Sequence, residues 1–195
     1  MNKIKNFLRF AGMELIIIVV GIILDQGSKA LIVANIGLHD SVTVIPKFLE
    51  FYYTQNRKAA FSFDFGLEEL IGIEGVRIFF IVFTFLAIGF LGFLIFKKPQ
   101  RGKLFRASLA AICAGAVGNL IDRLFRKFVV DFIRIEYFGY ELFGHTSFAV
   151  FNVADCFVVV GTVLLLISVL FFEKFDDDKK ETLSGSNNDG AISNG

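Results

Sequence analysis

Four aspartates stand in or beside strongly apolar sequence. They are Asp25 in Asp25-Gln26-Gly27-Ser28-Lys29, Asp122 in Gly118-Asn119-Leu120-Ile121-Asp122-Arg123, Asp131 in Val129-Val130-Asp131-Phe132, and Asp155 in Phe151-Asn152-Val153-Ala154-Asp155. A carboxylate at membrane depth costs at least about 2.5–3.5 kcal/mol, so acids retained there point to function. Two carboxylates brought close together cannot both ionise easily, and one keeps a proton. The ionised member can then take a proton from water while the protonated member polarises a carbonyl, which is the chemistry of an aspartic peptidase. A low-dielectric setting strengthens the effect.

Most of these acids also have a simpler explanation. Asp25 and Lys29 lie four residues apart on one helix face, the spacing of a local ion pair. Asp122 beside Arg123 reads as an ion-pair anchor. Asn152 and Asp155 have the spacing of a capping box at a helix start. Asp131, between Val130 and Phe132, has no evident local partner, so a functional role is the better reading for it. His39 and His145 are lone loop histidines without metal-ligand spacing, and a nucleophilic pair of His145 with Cys156 lacks a motif. Cys113 and Cys156 lie in apolar runs, where packing is a simpler role than a disulfide.

The elements that must hold these residues are membrane helices. The chain has 195 residues, 55% of them hydrophobic, and a mean hydropathy of +0.66; soluble domains stand at about 45–50% apolar. Its net charge of +1 and its scattered basic loops give no basic face for nucleic acid. Lys3, Lys5 and Arg9 precede the apolar run Ala11 to Leu24, as in a secretory signal peptide, but no small-residue cleavage site follows and three more apolar runs lie downstream. That run alone reaches about 21 Å of a core roughly 30 Å thick, so a retained first helix continues through Asp25 and Lys29, over about 11–34. Charge-free Ile78 to Phe96 gives a second span (78–96). A third (107–123) carries Ala110, Ala114 and Gly118 one turn apart, which lets helices approach closely. The fourth covers 153–172.

Between the helices, segments 35–75 and 124–152 alternate apolar and polar residues as strands do, with Pro46 between two runs and a short helix start near Gly66 to Leu70. Lys97, Lys98, Arg101, Lys103 and Arg106 crowd one loop, which the positive-inside rule places in the cytoplasm together with the basic N-terminus. All four aspartates then fall at the outer face. Residues 173–195 read as a disordered cytoplasmic tail. The expected fold is a mainly α membrane protein, a four-transmembrane-helix bundle with a small extracytoplasmic β-sheet, forming one domain over 1–172.

These motifs, in this order between four spans, resemble those of the lipoprotein signal peptidases, the bacterial type II signal peptidases. The likeness runs from about Leu15 to Ser168 and includes Asn56-Arg57-Lys58-Ala59-Ala60-Phe61. It implies an inner-membrane aspartic endopeptidase that removes signal peptides from prolipoproteins, cutting just before a diacylglyceryl-modified cysteine. By resemblance the dyad is Asp131 and Asp155. Asn56, Asn119, Arg123, Asn152 and Ala154 line or support the site, with Asp25, Lys29 and Asp122 in structural support. The resemblance implies no metal or organic cofactor; membrane lipid is the expected surroundings, and a monomer is the expected state although the sequence does not itself give the oligomeric state. Lys58 stands where the family usually has glycine, and the segment from Arg134 to Val150 is longer than the family pattern. A small proton- or ion-coupled carrier is the competing reading, since intramembrane acids also mark ion pathways. Against it, the acids lie at one edge and the helix pairs show no repeat. A non-catalytic scaffold would let asparagine replace Asp131 and Asp155.

Overall fold

The computed structural model describes residues 2–57, 67–97, 102–142 and 144–172. Lys58 to Phe61, part of the basic loop, and the tail from residue 173 lie outside these residues. Among the described residues four helices are long and apolar enough to cross a membrane, over Gly12–Asn35, Glu68–Lys97, Lys103–Phe125 and Val153–Phe171. The elements run α1 (Asn2–Asn35), β1 (Ser41–Ile45), β2 (Leu49–Asn56), α2 (Leu67–Lys97), α3 (Lys103–Phe125), β3 (Val129–Ile135) and α4 (Val153–Ile167), the last closing in a π-helical turn at Ser168–Phe172.

The helices begin earlier than a search for charge-free sequence suggests. The second was expected from Ile78, yet α2 already includes Glu74 and Arg77, which pair one turn apart and so carry the helix past its charges. It bends at Gly72, whose φ of 69° and ψ of 168° suit glycine alone. Similarly α3 starts at Lys103 rather than residue 107, and Arg106 in its first turn meets the buried Glu14 of α1.

Helix α3 is the centre of the bundle and packs on α1, α2 and α4. Its buried face is built of small residues, including Ala110, Ala111, Ala114, Gly115 and Gly118. A methyl group on Gly21 of α1 would stand 2.8 Å from Ala114 Cβ, and one on Gly161 of α4 would stand 2.9 Å from the Ser108 carbonyl oxygen. Backbones this close gain dispersion contact that lipid cannot supply, and this holds the bundle together. The opposite side of α2 turns Phe83, Phe90 and Leu86 outward, as a lipid-facing helix does.

The three strands form one antiparallel sheet in the order β1-β2-β3, with Pro46 in the β1–β2 hairpin and a register shift in β2 between Phe51 and Thr54. Tyr53, Val130 and Phe132 bury themselves against Ile32 near the end of α1. This apolar contact seats the sheet on the bundle. The long segment after β3 folds back on itself: Glu136 bridges Ser147, Leu142 bridges His145, and the returning Phe151 pairs with Ile133 just before α4. Among the described residues of segment 124–152, Val129–Ile135 is the full strand.

Candidate active site

Asp131 lies in the buried half of β3, where its pairing with Thr54 places it beside the end of β2. Its two carboxylate oxygens accept from Asn56 Nδ2 at 2.9 Å and Asn152 Nδ2 at 2.6 Å. Asp155 stands in the first turn of α4, where its Oδ1 accepts from Asn119 Nδ2 at 2.9 Å and its Oδ2 from the Asn152 backbone N–H at 3.1 Å. Asn152 therefore touches both carboxylates, one through its side chain and the other through its backbone. Its Oδ1 accepts in turn from the Asp155 backbone N–H at 3.0 Å, completing the capping box. Capping and juxtaposition with Asp131 are thus two uses of the same residues.

Burial pushes the Asp131 carboxyl up to about 7, with the neighbouring Asp155 charge as the second cause. The amide donors of Asn56 and Asn152 and the Lys29 charge act in the opposite direction. Desolvation and a like charge prevail over the two amide donors and the Lys29 charge.

Behind the pair lies a fully buried charged cluster. Lys29 Nζ is 2.9 Å from Asp25 Oδ2, 2.9 Å from Asp122 Oδ2 and 3.0 Å from Asn119 Oδ1. An ammonium has only donors, so it fixes the Asn119 oxygen toward itself and turns the Asn119 amide hydrogens to Asp155. Asp25 uses its other oxygen to accept from the Ala154 backbone N–H at 2.9 Å, which ties α1 to the first turn of α4. Asp122 Oδ2 accepts from the Val130 backbone N–H at 3.1 Å, one residue before Asp131. Gly118 makes room for this: a methyl group there would stand 2.5 Å from Asp25 Oδ2.

The structure corrects one pairing. Asp122 was expected to anchor to its neighbour Arg123, whereas its ion-pair partners are Lys29 and Arg126. Arg123 instead directs Nη1 to the Asn119 carbonyl at 3.4 Å, lies over the Phe80 ring at 5.3 Å, and puts its charge within reach of Asp155, Asp131 and, without a direct ion pair, Asp122. Asn56, Asn119, Asn152, Ala154, Asp25 and Lys29 all gather around the two aspartates. Gln26 and Arg126 belong to the cluster as well and were not singled out; the four-residue step from Asp122 to Arg126 was the available signal. The two histidines lie away from it, His39 near Tyr52 and His145 in the distal hairpin. Among the described residues Cys113 and Cys156 are free, and no group of His, Cys, Asp and Glu has metal-site geometry.

The family described as signal peptidase (SPase) II matches residues 17–171. A lipoprotein signal peptidase of Clostridium tetani is 37% identical over 167 residues, covering 86% of this chain and 98% of that protein. One of Latilactobacillus sakei is 35% identical, covering 84% and 99% respectively. Two solved bacterial membrane enzymes superpose with TM-scores of 0.69 and 0.67 at 31% identity; each alignment covers 82% of this chain, and 88% and 94% of theirs. Long matches to peptidases at this identity leave no room for the carrier reading. The chain belongs to the signal peptidase II family of membrane peptidases.

Proposed function

We propose that this chain removes the signal peptide of prolipoproteins by cutting just before a diacylglyceryl-modified cysteine, with Asp131 and Asp155 as the catalytic dyad. The observation that carries the assignment is Asn152, which holds both carboxylates at once. The dyad shares one proton as a coupled pair. A water between the carboxylates loses a proton to the ionised member as it attacks the scissile carbonyl, while the protonated member donates to that carbonyl oxygen. As the tetrahedral intermediate collapses, one of its hydroxyls returns a proton to the aspartate that had protonated the carbonyl oxygen, while the amine leaving group takes the water-derived proton from the other, so the dyad again holds one proton.

Asn56, Asn119 and Asn152 keep the carboxylates oriented, and Arg123 offers a cation to the substrate backbone. Asp25, Lys29 and Asp122 supply the rigid frame, with the Ala154 N–H as one of its anchor points. The site lies on the extracytoplasmic side of the bacterial inner membrane, with both termini cytoplasmic. The basic loop around Lys97 and Lys103 supports this orientation. The substrate enters sideways between helices, its acyl chains staying in lipid, and the enzyme acts as a monomer.

The test is incubation of the folded enzyme in detergent with a prolipoprotein, with and without the diacylglyceryl group, read by gel shift and by the mass of the product. Cleavage before the cysteine of the modified substrate alone is expected. No cleavage of it, or cleavage elsewhere in it, would contradict the proposal.

A further inference from the structure

Asp122 holds the backbone of β3 at Val130, and its own orientation is set from the other side. Asp122 Oδ1 receives Gln26 Nε2 at 3.3 Å and the Arg126 guanidinium, while Arg126 Nη1 also donates to Gln26 Oε1 at 2.9 Å. Gln26 Nε2 reaches Asp25 Oδ2 and the Gly118 carbonyl oxygen as well, both at 3.0 Å. The Arg126 side chain is 30% exposed, whereas Asp122, Asp25 and Lys29 are wholly buried, so Arg126 closes the cluster toward solvent. With it present, the charges of Asp25 and Asp122 balance those of Lys29 and Arg126. We propose that Arg126, acting with Gln26 through Asp122, is a positioning residue that fixes the start of β3 and sets the electrostatic field at the two aspartates. The proposal rests on the peptidase reading above.

Besides each other, Asp131 and Asp155 face Lys29 and Asp25 from α1 and Arg123 from α3. If Arg126 loses its charge, Lys29 alone must serve two buried carboxylates, and the field at the dyad becomes more negative. A more negative field holds the dyad proton to higher pH. Arg126→Gln therefore moves the pH–rate profile upward by about 0.3–1 unit, the size expected for one charge at moderate distance. It also lowers kcat by about tenfold with KM little changed, because the backbone before Asp131 loses its restraint. Arg126→Lys keeps the charge and restores the position of the profile. A merely structural residue would change folded yield without moving the profile.

The experiment measures kcat, KM and the pH profile for wild type, Arg126→Gln, Arg126→Lys and Gln26→Leu on diacylglyceryl-modified prolipoprotein in detergent, alongside melting temperature. The upward shift in Arg126→Gln, reversed in Arg126→Lys, bears the proposal out. A folded Arg126→Gln with wild-type kcat and profile overturns it. If Arg126→Gln does not fold, Gln26→Leu decides: a lowered kcat supports the proposal and an unchanged one refutes it. No cleavage by folded wild type would overturn the peptidase reading, and this inference with it.

Discussion

Two buried ionic sites occupy opposite ends of α1, and they are built differently. At the end away from the sheet, Glu14 meets Arg106 Nε at 2.6 Å, joining α1 to α3. At the sheet end, Asp25, Lys29 and Asp122 bond one another and also reach Asn119 on α3, Val130 on β3 and Ala154 on α4. Burying ions is costly, and the cost is recovered only where the remaining donors and acceptors are satisfied. The first site joins two helices. The second must hold four elements in register with two aspartates, and its many bonds supply that.

The contrast is broken most severely by Lys29→Met, which leaves two buried carboxylates without their shared cation. A loss of about 3–5 kcal/mol is expected, read as a collapse of melting temperature in detergent. Any folded fraction should cleave slowly, because the Asn119 amide is no longer locked toward Asp155.

Next in size is the pH dependence of stability at Asp131, whose carboxyl rises from 3.8 when unfolded to about 7 when folded. A raised folded value means that the group's favourable contribution is complete below pH 4 and fades as pH climbs through 7. Asp131→Asn removes this dependence. The variant should melt above wild type at pH 8 by at most about 4 kcal/mol, with the gain gone near pH 4. A melting difference independent of pH would refute the raised folded value of Asp131.

Gly118→Ala should cost about 1–3 kcal/mol by overpacking against Asp25. Gly27→Ala, where the space is open, isolates the backbone contribution and should change melting far less. Smallest in functional terms is Glu14→Gln: a stability loss of about 1–3 kcal/mol is expected, with turnover per folded molecule within about twofold of wild type. A large loss of turnover there would show that the two ends are coupled.

Much of this arrangement is legible without coordinates, because membrane sequence is so restrictive. A charge has to be justified, so Asp25, Asp131 and Asp155 stand out at once, and uncharged runs reveal the spans. The same restriction misled at helix starts: Glu74 with Arg77, and Arg106 with Glu14, show that a paired charge need not end a helix. Arg126 was hidden for a different reason. Sequence adjacency suggested Arg123 for Asp122, but adjacent helical residues diverge by about 100° while a residue four further on returns to the same face. The hairpin beyond β3 was also beyond reach, since its pairing of Leu142 with His145 depends on turn geometry and carries no apolar period.

The central claim is that Asp131 and Asp155 act as one unit, joined by Asn152. Single-turnover cleavage of diacylglyceryl-modified prolipoprotein by wild type, Asp131→Asn and Asp155→Asn, each normalised to folded enzyme, tests it most directly. Each substitution should slow cleavage by at least about a thousandfold, within the range for losing an acid–base group, and the double variant should be no slower than either single one. Cleavage within tenfold of wild type by either folded variant would remove that aspartate from the chemistry and contradict the account.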